Sequence, residues 1–383
     1  MPLRLLHISD LHLDRSFAAM GCQGDLARRR RMGLRAALQR AGEAAQQRGC
    51  AAVSIGGDLL EHERSGVDTA QFLTETFASW QPMRVLLAAG NHDPLLPGSI
   101  HLRTSWPGNV HLFADPVLRP LRLCDGVTVW GLGHPGPAWT GDPLAIAPVG
   151  GDGGVHIALF HGAELGWRPA GKSIHGPFHR EHIRDRGFAA ALSGHYHRRR
   201  LDSASGLCYP GSPEPLSFDE SEPRGPVLVE IGGDGTVSFE GLTLNRWHAG
   251  SVECDLDGVG NITTAIDRVS AAVLATTAGM NLDRTTLRVD LVGQVRSRAS
   301  LDLFDAETAV RETTGIAALR LRDLTSSAAE IDVVAQEASA RGAFVRAARE
   351  ASEQADEDSE RAIVADALRY GLQALAGNDV GLR

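Results

Sequence analysis

Lysine is almost absent from this chain: of 38 basic residues, only Lys172 is not arginine. The formal net charge over 383 residues is -9. A protein that grips polyanions by bulk charge is usually basic overall, so this total argues against that class. The balance is uneven, however: +5 over residues 1–200, -6 over 201–250 and -8 over 251–383. Arginine also suits bidentate phosphate contact. Cysteine is sparse too. The five cysteines are scattered and never form Cys-x-x-Cys, which argues against a zinc-thiolate site and a disulfide framework and fits a reducing cytoplasm. No apolar run approaches the ~20 residues of a membrane span. The start, "LRLLHISDLH", lacks a charged–apolar–small cleavage pattern. Neither a membrane nor a secreted protein is expected. Histidine is missing from everything after His248, while all fifteen lie between His7 and His248. That places the chemistry in the first two-thirds.

At about 150 residues per domain, the length implies two to three domains. Residues 1–248 alternate short apolar runs with helical stretches. "LRLLHIS", "AAVSIGG", "MRVLLAAG", "VTVWGLG", "VHIALFH", "AAALSGH" and "PVLVEIG" read as buried strands. An arginine-rich amphipathic helix is expected over 25–48. Residues 249–329 read as a small βαβαβ module. There Val252, Cys254 and Leu256 alternate as one strand, and Leu287, Val289 and Leu291 as another. Residues 330–383 read as a helical tail, with Val364, Leu368, Leu372 and Leu375 on one face of the last helix. That stripe either packs on its own domain or docks a partner.

Five short signatures follow apolar runs in order: Asp10-x-His12, Gly57-Asp58, Gly90-Asn91-His92-Asp93, His161-Gly162 and Gly194-His195-x-His197. A parallel sheet would bring all five to one edge. Alternation along a strand would put Asp10 and His12 on one face. Carboxylate, imidazole and amide donors suit Mn²⁺, Fe²⁺ or Zn²⁺. Two such ions would clamp a phosphate, acidify a bridging water and stabilise the attacking and leaving oxygens.

This ordered set resembles the calcineurin-like metallophosphoesterase superfamily. The stretches "LLHISDLHLD", "GGDLL", "GNHD", "LFHG", "SGHYH" and "YPGSPEPLSFDE" are similar to its DNA-repair exonuclease branch, the SbcD-type nuclease subunit. The resemblance covers about residues 1–248. It implies an α/β fold with a layered β-sandwich metallophosphoesterase core flanked by helices, followed by a small α/β capping module and a helical C-terminal tail. It also implies one ion on Asp10, His12, Asp58 and His197, and a second on Asp58, Asn91, His161 and His195. The nuclease branch implies manganese for both. His92 would contact the phosphate and assist the departing oxygen, with Asp93 orienting it. One departure stands out. Where several family nucleases carry histidine three residues after the bridging aspartate, this chain has Glu61, and His62 comes next. A carboxylate facing a phosphate would repel it, unless His62 takes the place through a shifted loop.

Other features are less specific. Gly166-x4-Gly171-Lys172-Ser173 matches a nucleotide-binding loop pattern, but Pro169 and Gly176-Pro177 spoil the required helix. Lys172, His175 and His179 could instead lie in an active-site loop. Arg28–Arg31 read as a solvated face or a phosphate contact. Arg198, Arg199 and Arg200 directly follow His197 and could touch a phosphate backbone. Asn261-Ile262-Thr263 matches a glycosylation sequon that a cytoplasmic chain would leave unmodified.

The sequence therefore supports a two-metal phosphodiesterase that hydrolyses DNA through a metal-bridging hydroxide. Its expected partners are DNA, an SMC-like coiled-coil ATPase subunit and, from the resemblance, a second copy of the chain. Two other readings stay open: a phosphodiesterase for a small substrate such as a cyclic nucleotide or nucleotide-sugar, which the acidic total and Glu61 favour, and a non-catalytic scaffold.

Overall fold

The computed structural model describes residues 2–145, 153–168, 173–295 and 302–375. It divides into two compact units, Met1–Ala249 and Gly250–Arg383.

The first unit is built on two six-stranded sheets. Its strands are β1 (Leu3–Ile8), β2 (Ala52–Gly56), β3 (Arg84–Ala88), β4 (Val110–Leu112), β5 (Arg119–Cys124), β6 (Val127–Gly131), β7 (Val155–His161), β8 (Ala190–Gly194), β9 (Arg200–Asp202), β10 (Leu207–Tyr209), β11 (Val227–Ile231) and β12 (Val237–Gly241). One sheet runs β12-β11-β1-β2-β3-β4, and the other β5-β6-β7-β8-β10-β9. The central strands are parallel in both: β1 with β2, β2 with β3, β6 with β7 and β7 with β8. Strands buried on both faces need apolar residues at every position, which explains continuous runs such as "VLLA" in place of alternation.

The sheets face each other across a shared core. Leu5, Leu86, Ala88 and Val229 from one meet Val129, Ile157, Leu159 and Leu192 from the other. Helices α1 (Gly24–Gln47) and α2 (Val67–Ser79) accompany the first sheet. Leu34, Leu38, Ala41 and Ala45 form the buried stripe of α1. The outer face of the second sheet carries Ala158, Phe160, Ala191 and Leu207, packed with Phe178, Ile183 and Phe188. Two short helices, α3 (Ile100–Arg103) and α4 (Glu181–Asp185), sit in the connections. The nucleotide-binding-loop pattern finds no support here. Among the described residues no helix opens between Gly166 and Arg180, and Lys172 lies outside the described residues.

The second unit holds a three-stranded sheet of β13 (His248–Asp255), β14 (Thr285–Val292) and β16 (Ala318–Asp323), in that order. A two-stranded pair, β15 (Gln294–Val295) and β17 (Ser326–Ser327), lies beside them in sequence. Helix α5 (Ile262–Thr276) is capped by Asn261, whose side chain accepts from Thr264 N–H at 2.9 Å. The sequon asparagine is thus a helix cap. Helix α6 (Leu303–Thr314) is capped by Asp302 and closed by Gly315 at φ 75°. Three helices follow: α7 (Ala328–Gln336), α8 (Ala340–Gln354) and α9 (Asp358–Leu375). Leu368 and Leu372 pack against Ile331, Val334, Ala335 and Val345, so half of the α9 stripe serves its own unit. Leu375, at the end of the stripe, is exposed. No helix among the described residues is long and apolar enough to cross a membrane.

Phe113 is 2% exposed, and its ring lies over Gly131 where no Cβ would fit. Phe113→Ala should cost about 3–5 kcal/mol in denaturant unfolding, because the rigid sheets cannot collapse onto the void. A loss under about 1 kcal/mol would show that the two sheets do not pack as described.

Candidate metal centre

The five signatures lie on the carboxyl ends of β1, β2, β3, β7 and β8. They come from two sheets rather than one, which corrects the single-edge expectation. Asp10, Asp58 and Asn91 are delivered by the first sheet, His161 and His195 by the second. The sheet edges approach closely enough for His161 Nδ1 to reach Gly56 O at 2.9 Å, and for His195 N–H to donate to Asp10 Oδ1 at 3.0 Å. Glycine permits this contact. A Cβ on Gly57 would meet the His161 ring at 2.6 Å, and one on Gly90 would strike the Asp58 carboxylate.

Asp10 and His12 do not share a face through strand alternation. β1 ends at Ile8, and both residues adopt left-handed backbone, at φ 53° and 48°. Asp58 and His195 also have positive φ, 51° and 118°. Such conformations cost non-glycine residues about 1–3 kcal/mol each and persist where the surroundings over-determine them. Here a ladder between loops does so. Asp10 N–H donates to Gly57 O at 3.1 Å, His12 N–H to Asp58 O at 2.9 Å and Leu13 N–H to Leu59 O at 3.0 Å.

The side chains then converge. Asp58 Oδ2 lies 3.6 Å from His12 Nε2 and 3.3 Å from His161 Nε2. Asn91 Oδ1 lies 3.1 Å from His161 Nε2 and 3.3 Å from His195 Nδ1. Asp10, His12 and His197 form one group able to hold an ion, and Asp10, Asp58 and His161 another.

Each histidine in the cluster has one ring nitrogen tied to an oxygen outside it. His12 Nδ1 bonds Glu61 Oε1 at 2.9 Å, and His161 Nδ1 bonds Gly56 O. His195 Nε2 bonds Ser173 O at 2.9 Å, and His197 Nδ1 bonds Glu220 Oε1 at 2.9 Å. These bonds assign the proton to the outer nitrogen and turn the other inward. The inner nitrogen of His12, Nε2, is buried without a hydrogen-bond partner. That of His161 faces two acceptor oxygens. A divalent cation resolves both situations, so the residues fit the ions.

Electrostatics agree. Burial alone would raise the Asp58 carboxyl, but His161 and His12 outweigh it and hold it well below the usual carboxylate range. Burial likewise opposes a charged His161, yet Asp58 lifts that ring to about 9. Burial takes His195 down to about 3. For His197, burial also prevails over Glu220 and lowers the ring.

Glu61 has a place different from the one its sequence position suggested. Its oxygens accept from His12 Nδ1 and from His92 Nδ1, the latter at 3.0 Å. It therefore faces imidazoles. The hydrogen bond that it donates to Glu61 raises His92, whose side chain is 42% exposed beside the cluster. Asp93 does not orient His92. It is fully buried and accepts from the N–H groups of Asp58, Leu59 and Gly90 and from His101 Nε2. It shapes the loops under the site.

The outlying candidates separate. His62 N–H donates to His92 O at 3.0 Å, which places its backbone beside the site. Arg198 is exposed and pairs with Glu222 at 2.9 Å. Arg199 is not available to a substrate: its guanidinium donates to the carbonyls of Pro210, Gly225 and Leu242. Arg200 lies over Trp167 and pairs with Glu164. His175 stacks edge-on against His195, whereas His179 stacks on His182. Within the Arg28–Arg31 run, Arg30 is buried between Phe17 and Trp247. Sequence reasoning missed Glu220 altogether. It lies 23 residues past His197, in a stretch singled out only by resemblance.

A family model described as calcineurin-like phosphoesterase matches residues 3–199. Over 88 residues the chain is 34% identical to the DNA double-strand break repair protein Mre11 of Aeropyrum pernix, a match that takes in 22% of this chain. The chain spans about a fifth of that relative's length, 21%. Two solved structures are similar over 63% of this chain. One is TT1561 of Thermus thermophilus, with TM-score 0.38, 12% identity and 99% of that chain covered. The other is a dimetal phosphatase from Danio rerio, with TM-score 0.39, 11% identity and 98% of that chain covered.

Two outcomes are expected. His161 is charged at neutral pH in the metal-free protein, and its contribution to stability is complete below 6.5 and lost as pH rises through about 9. A cation must displace its proton, so Mn²⁺ binding near pH 7 should release about one proton, and the release should vanish above about pH 10. Calorimetry in buffers of different ionisation enthalpy measures this, and no release at pH 7 would contradict it. Glu61→Ala should weaken Mn²⁺ binding about 10- to 100-fold by freeing the His12 ring. Unchanged affinity would show that the Glu61 bond does not hold that ring.

Proposed function

The chain belongs to the calcineurin-like phosphoesterase family, and from that premise we propose that it is a two-metal phosphodiesterase acting on DNA, an SbcD-type nuclease subunit of a repair complex. Membership makes it a metal-dependent hydrolase. The step to DNA is supported by the 88-residue similarity to a double-strand break repair protein. The observation that carries the catalytic reading is the set of inward-turned ring nitrogens around Asp58 and Asn91.

Manganese is the proposed ion, since the donors are carboxylate, imidazole and amide without thiolate. Bound divalent ions would supply positive charge for a phosphate and acidify water. The geometry supports the following part for the protein's own residues. Asp10, His12, Asp58 and His197 would hold one ion, and Asp58, Asn91, His161 and His195 the other. Glu61 occupies His92 Nδ1, which leaves Nε2 as the nitrogen that meets a substrate oxygen. The Glu61 hydrogen bond raises His92, which favours its role as the acid that would donate a proton from Nε2 to the departing oxygen. Arg198, exposed one residue past His197, contacts the phosphate backbone and makes binding salt-sensitive.

The proposed partners are DNA, an SMC-like coiled-coil ATPase that supplies any ATP dependence, and a second copy of the chain, in the cytoplasm. The net charge of -9 favours a second reading, hydrolysis of a small phosphodiester such as a cyclic nucleotide.

Purified protein with Mn²⁺ should degrade labelled duplex or single-stranded DNA. His92→Ala should lower that rate about 10²- to 10⁴-fold while Mn²⁺ stays bound. Hydrolysis of a cyclic nucleotide with no DNA cleavage would replace this reading by the second one.

A further inference from the structure

The stretch "YPGSPEPLSFDE", residues 209–220, holds none of the candidate metal ligands. Beyond Tyr209 it contains three prolines and forms neither helix nor strand, yet residues 209–216 are all buried. Connecting segments normally run over the surface, because buried irregular backbone leaves polar groups to satisfy. This one is satisfied by a buried carboxylate. Glu220 is 8% exposed. Its Oε2 accepts from Ser212 Oγ at 2.6 Å and from Leu216 N–H at 2.9 Å. Its Oε1 accepts from His197 Nδ1 at 2.9 Å and from Ser217 Oγ at 3.3 Å. Arg224 completes the arrangement. Its guanidinium lies 3.3 Å from Glu220 Oε2 and donates to His197 O at 2.6 Å and to Ser212 Oγ at 2.7 Å. The ring and the carbonyl of His197 are thus held by two adjoining, oppositely charged, buried groups.

We propose that Glu220, supported by Arg224, is a positioning residue for His197: the buried loop exists to fix the Nδ1–H form of that ring and aim Nε2 at Asp10 and His12. The His197 ring lies 5.1 Å from that of His12, edge to face, which leaves little latitude for rotation. Carboxylate partners of metal-binding histidines orient the ring and raise its basicity. A second buried glutamate in the same loop provides the contrast. Glu214 accepts from the N–H groups of Arg246 and Trp247 and from Arg40, and does not touch the cluster.

The inference rests on the metal-dependent reading above, and the two can fail separately. Mn²⁺ binding to the 383-residue chain is followed by electron paramagnetic resonance of the free ion, in wild type, Glu220→Gln and Glu214→Gln. In Glu220→Gln one of the two ions should bind about 10- to 100-fold more weakly, while Glu214→Gln keeps both within about threefold. Wild-type affinity in Glu220→Gln, or an equal loss in Glu214→Gln, would overturn the assignment. Failure of wild type to bind Mn²⁺ would overturn the metal-dependent reading itself. Should Glu220→Gln not fold, ¹⁵N spectra of histidine-labelled, metal-free wild type decide the matter. They should place the His197 proton on Nδ1, and a proton on Nε2 would refute the proposal.

Discussion

Four imidazoles held by their outer nitrogens around two buried carboxylates form the constraint on which the rest of this molecule depends. Neutral imidazole carries one proton, so fixing it on the outer nitrogen decides what the inner one can do. His12, His161, His195 and His197 are fixed by Glu61, Gly56 O, Ser173 O and Glu220. The inner nitrogens then present lone pairs, or in His161 an extra proton, to Asp10, Asp58 and Asn91. Without a cation, the charge of Asp58 is balanced by an imidazolium. With one, the same geometry becomes a ligand set. The same side chains make up the candidate metal-holding groups.

The fold serves this constraint at a cost it can bear. Parallel strands end their carboxyl tips together, and two sheets face to face double the number of tips available. Left-handed backbone at Asp10, His12, Asp58 and His195 opposes folding. The large apolar core between and outside the sheets offsets it. Asp93 contributes directly by accepting from three backbone N–H groups of the loops that carry Asp58 and Asn91. Its burial disfavours charge, but His101 outweighs that and lowers its pKa, so the anion persists.

Much of this was legible in the sequence, and the limits have physical reasons. The strands were visible because doubly buried parallel strands are continuous apolar runs. The ligand candidates were visible because each follows such a run at once. The βαβαβ pattern of the second unit showed in its alternation and in residues such as Asn261, which caps α5. What remained hidden is long-range. Nothing local reveals that β1–β3 and β7–β8 belong to different sheets. Glu61 looked like a carboxylate opposed to phosphate because its partners, His12 and His92, are brought near only by folding. Arg199 looked like a phosphate contact beside His197, yet three backbone carbonyls claim its guanidinium. Glu220 gave no signal, since the bond to His197 depends on a buried loop whose path no periodicity encodes.

Together these side chains would cage a pair of divalent cations. Anomalous diffraction from crystals grown in Mn²⁺, recorded at the manganese edge, tests it most directly. Two peaks about 3.5–4 Å apart, flanking the Asp58 carboxylate, are the result expected of such a site. No peak within reach of Asp58, or a manganese bound only elsewhere on the molecule, would contradict it.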